Sequence, residues 1–357
     1  MDRDNQAEKA VLVGVAVGRT PKQDIEYSID ELSRLISTAG GIEAARYIQK
    51  RPKPDGTYYI GKGMVDEIKE FIDENEADLV VFDEPLSPNQ MRNLSKKLDI
   101  KVIDRPMLIL DIFALHARTA ESRLQVELAQ MEYLLPRLAG LWVHFSRQRG
   151  GIGTKGPGET QLETDRRQVG KKILSLKQKL KKIDKQRVIQ RQGRDKFYKI
   201  ALVGYTNAGK STLFTCLTRA DVLQEDKLFS TLDSTTRVIS VEYPQNIVVT
   251  DTVGFIEKLP HQLVASFKST LDEVNLADLI LLVVDSSDAY KDRKIGVVRK
   301  VLKEIGVNNV PIIEIYNKID LLEESQIPPL GNGFIPISAL KKLGLNRLKT
   351  ELMARFG

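Results

Sequence analysis

Short apolar runs alternate with segments of helical spacing over the first third of the chain. The runs KAVLVGVAVG, ADLVVFDE and KVIDR have the length and composition of buried strands. Between them, IDELSRLISTAG, GMVDEIKEFIDENE and SPNQMRNLSKKL have the apolar spacing of helices. Ser87 followed by Pro88 is typical of a helix start, because serine caps free backbone N–H groups and proline has none to lose. The pattern predicts a small α/β domain over residues 1–117.

Residues 118–195 have a different pattern. In ESRLQVELAQMEYLLPRLAGLW and QLETDRRQVGKKILSLKQKLKKID, apolar residues recur mostly at alternating spacings of three and four, and the other positions are largely polar. Between them, RQRGGIGTKGPGE contains glycines and a proline that cannot continue a helix. We predict an antiparallel helical hairpin with a glycine-rich, basic tip. Two surface helices with solvated charged faces are the alternative.

Strands and helices alternate again over residues 196–357. The predicted strands are YKIALVG, RVISVEY, NIVVTD, LILLVVD, VPIIEIYNK and GFIPIS, and the predicted helices include QLVASFKSTLDEV, DRKIGVVRKVLKEIG and KLGLNRLKTELMARFG. Strands separated by helices favour a doubly wound, mostly parallel sheet. The predicted fold class is therefore α/β, with this sheet domain preceded by a smaller α/β domain and the long helical hairpin.

Composition excludes several kinds of site. The single Cys216 rules out an intrachain disulfide, and three scattered histidines beside it offer no ligand cluster for zinc or iron. The first residues go from charged positions directly into a strand-like run, without a signal sequence. The longest apolar runs are too short to span a bilayer. We expect a soluble, cytoplasmic protein without a membrane partner.

The positive charge is concentrated in one segment. The whole chain carries a net +6, but residues 141–200 contain 17 Lys and Arg against 5 Asp and Glu. That segment therefore carries +12 and the rest of the chain −6. A polyanion is the expected partner of such a segment.

The stretch GYTNAGKS matches the phosphate-binding pattern G-x-x-x-x-G-K-[ST], and it lies between a predicted strand and helix. Gly204 and Gly209 let the backbone N–H groups point at a β-phosphate. Lys210 is placed to bridge β- and γ-phosphate oxygens, and the Ser211 hydroxyl to bind Mg²⁺. A glycine-rich turn between a strand and a helix is the alternative reading of this motif alone.

Two further segments extend the phosphate site. The strand in NIVVTDTVG ends at Asp251, where an acid can hold a Mg²⁺-bound water, and the Gly254 N–H is free to meet a γ-phosphate. In KLFSTLDSTTRVI, Thr231 is predicted to complete the Mg²⁺ shell when the γ-phosphate is present, with Thr235 and Thr236 as rivals. The predicted catalytic residues are therefore Lys210, Thr231 and Gly254, and the predicted metal ligands are Ser211 and Thr231, with Asp251 acting through water.

The base is predicted from IYNKID. Asp320 can accept hydrogen bonds from guanine N1–H and the 2-amino group, which adenine lacks. Asn317 supports the loop, the Lys318 stem covers the ring, and the segment ISAL brings a backbone N–H near the guanine oxygen. The predicted nucleotide contacts are Gly204, Tyr205, Thr206, Asn207, Ala208, Gly209, Lys210, Ser211, Thr212, Phe229, Ser230, Thr231, Leu232, Asp233, Asp251, Thr252, Val253, Gly254, Asn317, Lys318, Ile319, Asp320, Ser338, Ala339 and Leu340.

The chain resembles the HflX family of translational GTPases. The resemblance rests on GGIGTKGPGETQLETDRR, LILDIFALHARTAESRLQVELAQ, GYTNAGKST, FSTLDSTTR and DTVGFIEKLPHQLVASFKSTL, and it covers nearly the whole chain. It implies a GTPase that binds the large ribosomal subunit and acts in ribosome splitting or rescue under stress. It also implies that the basic hairpin contacts ribosomal RNA, and we expect a monomer without a DNA partner. A regulatory GTPase switch that acts on a protein partner without RNA is the alternative function.

Two positions bear on the chemistry. Many small GTPases have a glutamine after the D-x-x-G motif to orient the attacking water, but here the position is Phe255, as in HflX relatives. We therefore predict slow intrinsic hydrolysis. Asn207 indicates either a bound K⁺ beside the phosphates or an asparagine that only stabilises the loop.

In the first domain, YYIGKGM is either a second phosphate-binding turn or a tight turn before a helix.

Overall fold

The computed structural model describes residues 7–138, 158–191, 197–218, 228–229, 232–239, 247–259, 273–327 and 334–356. The chain forms two compact units. Unit 1 combines Met1–Leu115 with Val126–Gln178, and unit 2 combines His116–Gln125 with Lys179–Gly357. The helical segment is thus shared between the units, and the predicted three-part division of the chain stays a prediction.

The first part of the chain has the predicted α/β alternation. Its elements are β1 (Lys9–Val17), α1 (Lys22–Thr38), β2 (Ile42–Arg51), α2 (Lys62–Asn75), β3 (Leu79–Phe82), α3 (Pro88–Leu98), β4 (Lys101–Asp104) and α4 (Arg105–His116). The sheet order is β2-β1-β3-β4, with every pair parallel. Ser87 caps α3 through a reciprocal capping box with Gln90, which confirms the predicted helix start.

Two helices follow, α5 (Ala120–Leu134) and α6 (Gly158–Arg191). Inside unit 1, Glu127 pairs with Lys172 at 2.8 Å and Glu132 with Lys177 at 2.7 Å. The partner numbers rise together, whereas an aligned antiparallel pair would reverse their order. The antiparallel course therefore stays a prediction. The predicted basic tip covers residues 147–159, of which only Gly158 and Glu159 are described, at the start of α6.

The last part of the chain is the predicted doubly wound domain. Its elements are β5 (Tyr198–Gly204), α7 (Lys210–Thr218), β6 (Thr235–Val238), β7 (Ile247–Asp251), β8 (Leu279–Asp285), α8 (Lys291–Glu304), β9 (Ile312–Asn317), β10 (Phe334–Pro336) and α9 (Leu345–Phe356). The sheet order is β10-β9-β8-β5-β7-β6, and β6 alone among these strands is antiparallel to its neighbour. Of the predicted helix QLVASFKSTLDEV, only the last two residues are described, and they are helical.

The packing of this second sheet determines at which of its edges a ligand can bind. The central strands β5 and β8 are buried along most of their length, and α7 packs Leu213 and Phe214 against the sheet with no exposed area. In open sheets of this kind, ligands bind beyond the carboxyl ends of the strands. The loops after β5, β7 and β9 leave the sheet at that edge.

Candidate functional site

The loop between β5 and α7 has a backbone that only glycine permits at two positions. A Cβ on Gly204 would lie 2.3 Å from the carbonyl oxygen of Val283. Gly209 has φ +90°, and a Cβ there would lie 2.2 Å from Nδ2 of Asn317. Both distances are far below van der Waals contact, so the glycines of the motif are required by the packing of the loop.

The side chain of Lys210, the first residue of α7, lies inside this loop. Its side chain is buried, and its ammonium donates hydrogen bonds to the carbonyl oxygens of Tyr205 at 3.0 Å and Gly204 at 3.3 Å. Burial lowers the pKa of Lys210 to about 8, although the nearby Asp251 carboxylate acts to raise it. A bound polyphosphate would supply the negative charge that this buried ammonium lacks.

Nucleotide affinity should therefore depend on pH above 8. Phosphates keep Lys210 protonated in the complex, so between its pKa of about 8 and its ordinary value of 10.5, binding takes up a proton. We expect affinity for GDP to be nearly constant below pH 7.5 and about tenfold weaker at pH 9 than at pH 7, measured by calorimetry. Guanosine, which has no phosphates, should lack this slope. The same GDP affinity at pH 7 and pH 9 would contradict the assignment.

Two hard oxygen donors face each other next to Lys210. The Ser211 hydroxyl donates to Oδ2 of Asp251 at 2.9 Å, and Asp251 lies buried at the end of β7. Among the described residues, no cluster of three His, Cys, Asp or Glu side chains could hold a metal by itself. A hydroxyl and a carboxylate suit Mg²⁺, which keeps several waters and takes its other oxygens from phosphates. The residues present therefore fit this ion.

The segment after Asp251 is tied to the phosphate loop by its backbone. The Thr252 hydroxyl donates to the carbonyl oxygen of Leu202 at 2.6 Å. Phe255 donates its N–H to Gly204 at 3.1 Å and accepts from the Thr206 N–H at 2.7 Å, and its side chain is 3% exposed. Phe255 is thus a packing residue, and its side chain offers no group that could orient a water.

Gly254 passes close to the buried lysine. A Cβ on this residue would lie 3.0 Å from Nζ of Lys210 and 3.0 Å from Cα of Thr206. The glycine backbone is therefore next to the ammonium that the sequence assigns to the γ-phosphate. This position agrees with the predicted use of the Gly254 N–H.

Asn317 connects two loops of the base site. Its Nδ2 donates to the carbonyl oxygen of Ala208 at 2.9 Å, and its Oδ1 accepts from the N–H of Ala339 at 2.9 Å. The Ser338 N–H donates to the carbonyl of Leu343. One backbone N–H of this segment is predicted near the guanine oxygen. Of the N–H groups of Ser338, Ala339 and Leu340, only that of Leu340 has no acceptor among the described residues.

Asp320 and Lys318, both predicted at the base, follow strand β9. Oδ1 of Asp320 is buried and has no hydrogen-bond partner in the described part of the chain, which suits an acceptor reserved for a ligand. Lys318 has a left-handed backbone, with φ 65°, and its ammonium pairs with Asp285 at 2.7 Å. Asp285 lies beside Asn317 on the neighbouring strand and is itself held by Ser287.

The segment between α7 and β6 contains five of the predicted nucleotide contacts, residues 229–233. Ser230 and Thr231 lie outside the described residues, so the predicted metal ligand Thr231 stays a prediction. The side chains of Phe229 and Leu232 are each 2% exposed. The Asp233 carboxylate accepts three hydrogen bonds from Arg118 and Thr119. The side chains of Phe229, Leu232 and Asp233 are thus buried or bonded elsewhere, so these residues would contact a nucleotide through their backbone.

The two rival threonines belong to strand β6. Thr235 lies opposite Asp251 in the antiparallel ladder, and Thr236 shares a hydrogen bond with the hydroxyl of Thr250 at 2.9 Å. Cross-strand threonine pairs of this kind stabilise sheets. The structure therefore explains Thr236 as a residue of the sheet.

A group of contacts on the outside of the phosphate loop was not predicted from the sequence motifs. The Tyr205 hydroxyl accepts from the Glu257 N–H at 2.9 Å, and the Glu257 carboxylate accepts from Arg293 at 2.6 and 3.0 Å. The ammonium of Lys294 lies 4.8 Å from the centre of the Tyr205 ring. These residues hold the start of α8 against the loop and against the segment after Gly254.

The predicted residues converge on one edge of one sheet. The phosphate loop follows β5, Asp251 to Gly254 follow β7, Asn317 to Asp320 follow β9, and Ser338 to Leu340 follow β10. A buried acceptor at the base and a buried ammonium at the phosphates select a guanine nucleotide. The domain is a P-loop GTPase, an enzyme that hydrolyses GTP to GDP and phosphate.

Comparison with known proteins defines the family. Residues 26–114 match the family model "GTP-binding GTPase N-terminal", residues 116–194 match "GTP-binding GTPase Middle Region", and residues 199–318 match "50S ribosome-binding GTPase". The GTPase HflX of Caldanaerobacter subterraneus is 49% identical over 96% of this chain and 79% of its own length. That of Escherichia coli is 47% identical over 90% of this chain and 76% of its own. The chain belongs to the HflX family of GTPases.

A solved structure agrees with this assignment. The crystal structure of SsGBP in complex with GDP is 26% identical, with a TM-score of 0.52, over 97% of this chain and 99% of that one. No helix among the described residues is long and apolar enough to cross a membrane.

Proposed function

We propose that this GTPase is a cytoplasmic, monomeric factor that binds the large ribosomal subunit through ribosomal RNA and acts in splitting or rescuing ribosomes. The observation that carries the proposal is the basic surface of α6. Its buried residues include Ile173 and Leu176, and its exposed cations are Arg166, Arg167, Lys171, Lys172, Lys177, Lys179, Lys181, Lys182 and Lys185. Phosphate contacts dominate the affinity of proteins for nucleic acids, and a protein partner needs no such excess of charge.

The chemistry is assigned to the residues of the nucleotide site. Ser211 and Thr231 would bind Mg²⁺, and Asp251 would hold a metal-bound water. An ion held there would supply positive charge to the phosphates. The Lys210 ammonium and the Gly254 N–H stabilise the charge that develops on the transferred phosphoryl group. Because Phe255 cannot orient a water, intrinsic hydrolysis is slow and the ribosomal subunit completes the catalytic geometry.

A monovalent cation can add charge at the phosphate loop. Asn207 has a left-handed backbone, with φ 61°, and precedes the turn to Gly209. If its side chain binds K⁺ beside the phosphates, hydrolysis should be about tenfold faster in KCl than in NaCl at equal ionic strength. The Asn207→Ala variant should lose this difference. Equal rates in the two salts would assign Asn207 to stabilising the loop alone.

Salt dependence tests the RNA contact. Reversing the charge of Lys181 and Lys182 to Glu should weaken binding to large subunits and reduce the slope of log affinity against log salt by about 2. The matched control is the double variant Lys300→Glu and Lys303→Glu, which changes two exposed lysines on α8 of the GTPase domain. The control should keep the wild-type slope. An unchanged slope in the α6 variant would contradict the proposed contact.

A further inference from the structure

The segment after α7 is held by the turn that begins α5. Asp233 accepts hydrogen bonds from the backbone N–H groups of Arg118 at 3.0 Å and Thr119 at 3.1 Å, and from the Thr119 hydroxyl at 2.6 Å. All three residues belong to unit 2. One carboxylate therefore receives three donors from two consecutive residues that are more than 110 positions away in the sequence.

Thr119 is also the residue at which α5 begins. Its Oγ accepts from the Ser122 N–H at 3.1 Å, and its carbonyl oxygen accepts from the Arg123 N–H at 3.1 Å. These are the contacts of a helix N-terminal cap. The N–H groups at this end carry the positive end of the helix dipole. The negative charge of Asp233 is therefore matched to this turn, and an asparagine of the same shape would lack it.

The chain around Asp233 lies next to the predicted metal site. Thr235, two residues after Asp233, lies opposite Asp251 at the start of β6. Asp251 accepts from the hydroxyl of Ser211, the other residue predicted at the metal. Leu232, on the other side of Asp233, is buried. The Thr119 turn thus fixes the chain where it approaches Asp251.

We propose that Thr119 is a positioning residue for GTP hydrolysis and that it acts by holding Asp233. Release of Asp233 loosens the chain between Leu232 and Thr235 where it approaches Asp251, so the groups around the phosphates are less well positioned for the transition state. GDP binding depends on the phosphate loop and the base site, and it stays unchanged. The proposal rests on the proposed role of Asp251 at the metal site. It places part of the hydrolytic machinery outside residues 199–318, which match the GTPase family model.

Variants of the full chain separate this role from a general loss of structure. Asp233→Asn keeps the shape and the α5 cap but removes the charge, and Thr119→Val removes the hydroxyl. Thr119→Ser restores the hydroxyl. Ser234→Ala changes the neighbouring side chain, for which the described residues provide no hydrogen-bond partner. The readouts are kcat and KM for GTP without ribosomes, Kd for GDP, and hydrogen exchange at the amides of residues 118 and 119.

The expected result is a loss of turnover alone. Asp233→Asn and Thr119→Val should each lower kcat about tenfold, the double variant should be no slower than either, and Kd for GDP should change by less than about twofold. The amides of residues 118 and 119 should exchange faster in Asp233→Asn. Thr119→Ser and Ser234→Ala should match the wild type.

Three results would overturn the proposal. They are an unchanged kcat in Asp233→Asn, single losses that multiply in the double variant, and a Kd for GDP that weakens in step with kcat. The third would indicate damage to the whole nucleotide site. Because the assay contains no ribosomes, a failure to bind the large subunit would leave this result unaffected.

Discussion

Replacing Asp320 by Asn is expected to change the base preference from guanine to xanthine. Oδ1 of Asp320 is buried without a hydrogen-bond partner among the described residues, so it can accept from guanine donors. An asparagine amide at this position would instead donate to the 2-oxo group of xanthine and would face the guanine 2-amino group with a donor. GTP affinity should fall at least about 100-fold, because a site built for hydrogen bonds rejects a ligand that cannot make them. XTP should then bind more tightly than GTP.

Direct titration of the wild type and the variant with GTP and with XTP measures this switch. The matched control is Asp278→Asn, which changes an aspartate that accepts from the Lys199 N–H at 2.8 Å near the start of β5, at the other end of that strand from the phosphate loop. The control should keep the guanine preference. If Asp320→Asn retains wild-type affinity for GTP, the base site has been assigned to the wrong residue.

Replacing Gly209 by Ala is expected to abolish nucleotide binding while the protein stays folded. The added Cβ would lie 2.2 Å from Nδ2 of Asn317, and the backbone has φ +90°, which an L side chain rarely adopts. Asn317 would have to move, and it holds the carbonyl of Ala208 and the N–H of Ala339. One methyl group therefore disturbs the phosphate loop and the base loop together. We expect GDP affinity to fall at least about 100-fold in direct titration.

Gly296→Ala is the matched control for this substitution. Gly296 lies within α8, and a Cβ there would have nothing within 4 Å. The change should leave GDP affinity at the wild-type value and raise the free energy of unfolding by up to about 1 kcal/mol, because alanine is the better helix former. Tight GDP binding by Gly209→Ala would show that the loop is not packed as the structure has it.

The residues predicted at the nucleotide site come from local motifs. Each motif is a strand followed directly by a loop, so the spacing in the sequence fixes the position of the side chain. The carboxyl ends of β5, β7 and β9 then bring Lys210, Asp251 and Asn317 to one edge. The fold class is confirmed for the same reason, since apolar runs and helical spacing recur along the whole chain.

Two elements of the first domain were missed, and each lacks the expected pattern. Strand β2 has charged and polar residues along its length and is only half-buried at the edge of the sheet. Helix α4 buries most of its residues, including Leu108, Ile109, Leu110, Ile112 and Phe113, so no polar face marks its period. A periodic pattern of apolar and polar residues appears only when an element is buried on one face and exposed on the other. Neither β2 nor α4 has this pattern.

Contacts between distant segments could not be predicted from one sequence. Asp233 was assigned to the nucleotide, yet its carboxylate is bound by the Thr119 turn. Arg293 holds Glu257 across 36 positions, and nothing in either segment signals the pair. Such partners are chosen by the course of the folded chain, whereas a motif carries its geometry in its own backbone.

Co-sedimentation with separated ribosomal subunits, in GDP, GTP and a non-hydrolysable GTP analogue, tests whether this GTPase acts on the ribosome. We expect binding to the large subunit that is strongest with the analogue, weak with GDP, and reduced by salt and by charge reversal at Lys181 and Lys182. The small subunit should bind in none of these states. Absence of large-subunit binding in every nucleotide state would contradict the account and would leave a GTPase whose basic helix serves another partner.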